Sequence, residues 1–524
     1  MPINPSYPGV YIEEVPSAVR TITGVSTSIT AFIGRALRGE VNQAKIIHSF
    51  DDYIRVFGGL WKKSNLSYAV YQYFLNGGMD AIIVRVYTPT NLAGVKFPGK
   101  AIHKIANSTI LELEAANPGN WGRNLDITID HDVDEEKEKL DGSIFNITFE
   151  DNTLGFRETF LNVSTYDDSP RFITRVLEES DLVRVHRIAL GQRPPKSTTK
   201  ESLDQEARIS LVENSASDGN LIEGSYVIGN ELNKTGIYAL DTVDFNLLCI
   251  PPYNLDNTPE AEVYDIALKF CLGNYAILIV DPPKNWKSNE EPKRLEGGID
   301  SDIFNPKRHE NAAIYFPRIK VVDPLADNRV REFVPCGVVA GVIARTDMQT
   351  GIWKSPAGIG ASIKGISDLS LRLTDEENGE LNQLGINCLR ILPNYGPVIW
   401  GARTMLGSDR LANQWKYLVV RRVSLYIEKS LYRGTQWVVF EPNDEKLWSQ
   451  IRLNVGAFMH NLFRQGAFQG TDPKKAYFVK CDNETTTNYD IDRGIVNIIV
   501  GFAPLKPAEF IILKIQQIAG QENS

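Results

Sequence analysis

The stretch Gly358-Ile-Gly-Ala-Ser-Ile-Lys-Gly365 has the residue types of a phosphate cradle: glycines that free backbone amides and a lysine to meet an anion. Its spacing is wrong for that chemistry. The G-x-x-x-x-G-K-[ST] pattern delivers the lysine directly after a continuous amide cradle, and here it does not. A flexible glycine-rich loop is the expected structure. The six histidines (His48, His103, His131, His186, His309, His460) are dispersed, with no HExxH and no close His/Cys pairing, so they do not converge as zinc ligands must. His460, among Val455, Phe458, Leu462 and Phe463, is expected to be a packing histidine. No Gly-x-Ser-x-Gly elbow presents a serine nucleophile. The acidic run Asp132-Val-Asp-Glu-Glu-Lys-Glu-Lys139 lacks the spaced oxygens and glycine of a calcium loop and reads as a solvated turn. Catalytic, cofactor and metal sites are therefore all expected to be absent.

Two further patterns concern binding. Between Trp415 and Gly434 the chain carries Lys416, Arg421, Arg422, Lys429 and Arg433 against only Glu428. On a helix, Arg422, Lys429 and Arg433 fall near one face. That face is either simply solvated or a positive stripe for an acidic partner. The second pattern is at the C-terminus, where Gly494-Ile-Val-Asn-Ile-Ile-Val500, a turn over 501–507, and Ala508-Glu-Phe-Ile-Ile-Leu-Lys-Ile-Gln-Gln517 predict a hairpin. Its second limb is apolar on both faces: Phe510 and Ile512 on one, Ile511, Leu513 and Ile515 on the other. Such a free edge aggregates unless something pairs with it. An extended segment near the other end, with Tyr7, Val10, Tyr11, Ile12 and Val15, could supply strand addition between copies.

The 524 residues should divide into two to four domains. A net charge of −9 argues against a general nucleic-acid surface. No apolar run approaches the roughly 18 residues that span a bilayer, so no direct membrane insertion is expected. Residues 1–8 show neither the basic nor the apolar region of a secretory signal. Five scattered cysteines without a CxxC pair read as reduced, mostly buried thiols in a cytoplasmically made protein.

The elements that must position these residues alternate in type. Thr30–Gly34 and Ala81–Val86 read as buried strands bracketing helices at 49–57 and 65–76, an α/β layer. Residues 91–232 read as short strands (125–129, 145–149) with charged turns and an exposed, mobile loop at 191–200. Strands at 246–251 and 275–281 with a helix at 259–272 make a βαβ unit. A buried apolar helix is expected over 333–344. From about 380, a strand at 386–391, helices near 417–436 and 444–465 and the terminal hairpin form an α+β part.

Several of these segments resemble contractile tail sheath proteins of phages and phage-tail-like injection particles. The similarity runs through Pro8-Gly-Val-Tyr-Ile-Glu-Glu-Val15, Val25–Gly34, Gly119-Asn-Trp-Gly-Arg-Asn-Leu125 and Trp353-Lys-Ser-Pro-Ala-Gly358. It is most specific in Gly385–Thr404, followed by Arg421-Arg422, Gly434-Thr-Gln-Trp-Val-Val-Phe-Glu-Pro-Asn-Asp444 and Leu447-Trp448. The middle of the chain adds little.

The resemblance implies a non-enzymatic structural subunit of α/β and α+β multidomain fold. It has a central subtilisin-like α/β sheath domain, an inserted mostly-β domain, and a C-terminal α+β domain with terminal β-hairpin and extended N- and C-terminal arms. The expected divisions are 1–22 (arm), 23–90 (core, first part), 91–232 (surface-exposed insertion), 233–380 (core, second part), 381–507 (C-terminal domain) and 508–524 (strand and arm). Hexameric rings of the chain itself would stack as a six-start helix around an inner tube protein, with baseplate and terminal cap proteins at the ends. The arms would join small sheets on neighbouring copies, and Lys416, Arg422, Lys429 and Arg433 would face the tube. Assembly would occur in the bacterial cytoplasm, in a phage tail or a particle that is released or anchored. A non-contractile tail or surface-lattice subunit shares the same arm logic.

Overall fold

The computed structural model describes residues 21–92, 95–97, 99–199, 207–253, 258–294, 298–300 and 308–512. Contacts divide it into two compact units: Ser26–Thr346 with Pro356–Asn413, and residues up to Val25 with Asp347–Ser355 and the chain from Gln414.

The larger unit is built on an eight-stranded sheet in the order Ala44–Ile47, Ala81–Arg85, Thr30–Gly34, Leu247–Cys249, Ile277–Val280, Ala312–Phe316, Ile386–Leu392, Gly396–Ile399. The six central strands are parallel, and the first and last pair antiparallel. The parallel strands are unbroken β-branched and apolar runs, such as Ala-Ile-Ile-Val and Ile-Leu-Ile-Val, because helices cover them and both faces are buried. Helix Phe50–Phe57 is capped by the Ser49 hydroxyl, which accepts from the Asp52 N–H, and Gly58 closes it in the left-handed region at φ 88°. The βαβ unit over 247–280 forms as expected, with helix Ala261–Gly273 between parallel strands.

Two expectations shift. The apolar helix spans Cys336–Gln349, since Phe333 instead ends strand Arg329–Phe333, paired with Ile319–Asp323. The strands at 386–399, assigned from sequence to the C-terminal domain beginning at 381, complete the main sheet, and the unit ends at Asn413. Main-sheet pairing requires a partner edge far away in sequence, at Ala312–Phe316, which local pattern does not reveal.

The insertion forms a second eight-stranded, mainly antiparallel sheet within this unit. Its core comes from alternating positions such as Leu125, Ile127 and Ile129 against Phe145, Ile147 and Phe149. Part of the expected exposed loop is in fact a buried strand: Ser197–Thr198 pairs with 128–129 on one side and 207–208 on the other.

In the smaller unit, helices Leu418–Gly434 and Glu445–Arg464 share a core of Val419, Val423, Ile427, Ile451, Val455, Phe458 and Met459. Ile22 belongs to this core, and the Val25 N–H donates to Ser430 Oγ at 3.2 Å, so residues 21–25 lie along the first helix. The expected start of the α/β core at 23 therefore moves to 26.

Candidate functional site

Among the described residues the expected terminal hairpin does not form. Ile499–Phe502 pairs antiparallel with Tyr477–Lys480, in the register Tyr477↔Phe502 to Lys480↔Ile499. Beyond it, Ala503 bonds to Ala476 and Gln469 and Pro504 bridges Phe468, after which residues 505–512 enter no strand. The first limb is instead taken up by a partner earlier in the sequence. Phe510, Ile511 and Ile512 are left 74%, 81% and 81% exposed. Leu513 and Ile515, like Tyr7, Val10, Tyr11, Ile12 and Val15, lie outside the described residues.

The two-stranded sheet is stable here because one face rests on the helical core. Tyr477, Val479, Val500 and Phe502 pack against the cluster that contains Phe458 and Leu462. The other face carries Phe478, Lys480, Ile499 and Gly501. No further strand among the described residues pairs with either outer edge. It is a small sheet with two open edges, next to exposed apolar chain.

The expected basic stripe is not a surface feature. Arg422 is buried and bonds Asp347 through both guanidinium nitrogens, at 2.9 and 2.5 Å. Lys429 is buried as well. Lys416 lies over the Tyr417 ring and 4.0 Å from Glu509, and only Arg433, in the last turn, is exposed. Arg421 stacks over Trp415 at 4.9 Å. The first half of this helix is buried around nearly its whole circumference, so its cations are held in the core or against aromatic rings. The exposed helical face in this unit is on Glu445–Arg464, with Lys446, Ser449, Leu453, Ala457, His460 and Arg464 at helical spacing. Sequence reading passed over it because its apolar face, Trp448–Leu462, dominates the pattern. His460 is exposed, not packed inside, though its ring lies tilted against those of Phe463 and Tyr477.

Two of the quoted sequence motifs, Gly385–Thr404 and Gly119–Leu125, hold the larger unit together. Asn387 donates from Nδ2 to the carbonyls of Ile314 and Arg403 and accepts the Arg403 N–H at 2.6 Å. The fully buried Arg403 guanidinium in turn reaches the Asn382 and Gly407 carbonyls and Asp409. Gly401 packs tightly beside it, since an added Cβ would stand 3.0 Å from Asn387 Cα and Oδ1. The Gly119–Leu125 motif anchors the insertion. Arg85, buried so completely that its guanidinium is pushed down to about 10, donates to the Ala36, Gly39 and Pro118 carbonyls. Arg38 pairs with Asp151 at 2.7 Å and lies over Trp121. Asp218, whose pKa is lowered, accepts from the Asn120 N–H and pairs with Lys63.

The glycine-rich stretch is a sheet edge. Gly358 and Ile363 donate to the carbonyls of Ile399 and Pro397, and Ser362 bridges Val398, while the Ala361 N–H turns back to the Gly358 carbonyl and the Lys364 N–H donates to Asn76 Oδ1. Among the described residues no three His, Cys, Asp or Glu side chains are placed to hold a metal ion, and no helix is long and apolar enough to cross a membrane.

Comparison with known proteins gives a consistent assignment. The family model described as "Phage tail sheath protein central domain" matches residues 227–405, and "Phage tail sheath C-terminal domain" matches 412–518, together over half of the chain. The tail sheath protein of Vibrio phage KVP40 is 28% identical over 188 residues, 36% of this chain and 27% of that protein. That of Enterobacteria phage T4 is 26% identical over 189 residues, with the same shares. The chain thus matches little more than a quarter of the length of these two relatives. The contracted helical sheath of the anti-feeding prophage aligns over 98% of this chain and 99% of its own, with a TM-score of 0.58 and 22% identity. A sheath tail protein of Listeria innocua aligns over 93% and 96%, with a TM-score of 0.59 and 15% identity. The sheath domains occur in order and the fold is shared along nearly the whole length, so the chain belongs to the contractile tail sheath protein family.

Proposed function

We infer that this chain is a force-transmitting structural subunit, without catalytic or cofactor chemistry. It would stack as hexameric rings in a six-start helix around an inner tube and contract to drive that tube through a target envelope. The observation that carries this reading is the open two-stranded sheet at 477–480 and 499–502, flanked by exposed Phe510–Ile512. Main-chain ladders across copies resist pulling, while short arms bracketed by proline and glycine can hinge. On this reading the central parallel sheet is the subtilisin-like domain, baseplate and cap proteins close the ends, and assembly is cytoplasmic.

Contraction without a nucleotide motor must be a downhill change in subunit packing. A preference of roughly 1–3 kcal/mol per subunit is ordinary for a two-state coupling, and linked copies multiply it. Contact with an acidic tube falls to the solvent face of Glu445–Arg464. Lys446, His460 and Arg464 are exposed there and the small Gly456 and Ala457 permit close approach.

Negative-stain electron microscopy of the recombinant chain, alone and with its tube partner, tests this. Hollow tubes with a cogwheel section, and a second, longer form around the tube, are expected. Dispersed monomers in both samples would overturn the reading.

A further inference from the structure

Phe440 stands on backbone that its own side chain disfavours. Val438 to Glu441 form a type II turn: Val439 has φ −65° and ψ 129°, Phe440 has φ 70°, and the Glu441 N–H donates to the Val438 carbonyl at 3.1 Å. The third position of such a turn suits glycine or asparagine, and a bulky residue there is strained. The ring gains nothing within its own copy, because it is wholly exposed, with Val439 64% exposed beside it. The turn is nonetheless firmly held. The Val438 N–H donates to the Thr435 carbonyl, Asn443 Nδ2 to the Ile495 carbonyl at 3.0 Å, and Trp448 Nε1 to Asn443 Oδ1 at 2.8 Å. Strain that the surroundings maintain, beneath an aromatic ring standing in solvent, marks a contact made outside the copy.

A matching surface lies on the outward face of the small sheet. Phe478 and Ile499 are 49% and 47% exposed there. The Phe478 ring lies across Gly501, where an added Cβ would come within 2.3 Å of it. Lys480, opposite Ile499 in the register, is exposed at the rim of this apolar floor. The knob carries the opposite charge: Glu441 follows Phe440 directly and is exposed. Among the described residues neither Glu441 nor Lys480 has an ion-pair partner.

Resting on the sheath reading above, we propose that Phe440 of one copy docks on the Phe478–Ile499 face of a second copy, with Glu441 meeting Lys480. The contact uses the face of the small sheet and leaves its edges free. Knob and floor occupy different places along one helix. The turn precedes the N-terminal end of Glu445–Arg464, whereas Tyr477–Lys480 packs along that helix from Arg452, which bonds the Cys481 carbonyl, to His460, 3.1 Å from the Tyr477 hydroxyl. Joining unlike patches of identical copies is a head-to-tail contact, which repeats into a ring or a helix. One ring buries about 150–250 Å², far below the roughly 1,200 Å² of a stable pair, so the contact acts where a lattice repeats it. An acidic tube is the poorer occupant, because Glu441, Asp444 and Glu445 are all exposed within five residues of the ring.

The test is a full-length chain with p-benzoylphenylalanine in place of Phe440, irradiated under assembly conditions and digested for mass spectrometry. Cross-links from position 440 of one copy to 478–480 or 499–501 of another are expected. Cross-links only elsewhere, only to the tube protein, or none at all would overturn the contact. Phe440→Asn suits the turn and removes the ring. It should melt at or above the parent temperature in scanning fluorimetry yet pellet as tubes roughly tenfold less. A lower melting temperature or undiminished pelleting would also overturn the contact. Lys480→Glu should reduce tube recovery, and adding Glu441→Lys should restore it; no restoration removes the charge pairing. A chain that cross-links to the sheet without forming tubes would keep the contact and remove the sheath reading. Tubes with cross-links only elsewhere would do the reverse.

Discussion

The Arg422 guanidinium and the Asp347 carboxylate form a two-bond ion pair at 2.9 and 2.5 Å, with only 2% of either side chain exposed. Breaking a buried ion pair by removing one partner typically costs about 3–5 kcal/mol, whereas an apolar pair of similar volume is often tolerated. Arg422→Met alone and Asp347→Leu alone should therefore sharply lower the denaturant midpoint of the smaller unit. The double substitution should recover most of the loss, followed by circular dichroism and Trp fluorescence.

Asp281 lies at the end of strand Ile277–Val280, where its Oδ1 accepts the Cys336 N–H at 2.9 Å while Oδ2 has no partner. Burial pushes its pKa up from 3.8 to about 7. The folded state thus holds a proton that the unfolded chain releases between those values, and stability falls as pH rises from about 4 to 7. Differential scanning fluorimetry should show Asp281→Asn melting higher than the parent at pH 8 and nearly unchanged at pH 4. An equal effect at both pH values would rule out the titration.

Two glycines on helices should respond in opposite senses. A Cβ at Gly337 would stand 2.0 Å from the Ala69 carbonyl oxygen, so Gly337→Ala forces the helices apart and should cost about 1–3 kcal/mol. Gly456 meets nothing within 4 Å, so Gly456→Ala should stabilise helix Glu445–Arg464 by about 0.8–1 kcal/mol. If a tube seats closely on that face, the same change lowers co-assembly yield while thermal stability rises.

Charge reversal separates the two basic helices. Lys446→Glu with Arg464→Glu should reduce recovery of tube-bound sheath severalfold in co-sedimentation and leave sheath self-assembly intact. An unchanged yield would mean this face is merely solvated.

Deleting Met1–Val15 removes no described residue of either core. The truncated chain should remain folded and monodisperse by size exclusion but form no long tubes. Normal tubes would sink the proposal that the arm links copies.

The sequence alone determined the elements that local chemistry specifies. Runs such as Ile277-Leu-Ile-Val280 are short, β-branched and apolar at successive positions, as a strand buried on both faces requires. Ser49, Gly58 and Asp444 mark helix ends through their own side chains or backbone freedom. The ordered motifs through Asn387, Arg403, Asn443 and Trp448 pointed to the family, and each now has a hydrogen-bonding role. Tertiary structure decided what depends on distant partners. Arg422 looked like a surface cation until Asp347, 75 residues earlier, neutralised it in the core. Ile499–Phe502 found its partner at Tyr477–Lys480, some twenty residues earlier, and not in the described residues that follow. Strand Ile386–Leu392 joined the main sheet because the edge of Ala312–Phe316 was open to it. Pairing and charge burial are properties of pairs of residues, and sequence spacing carries no record of which pairs meet.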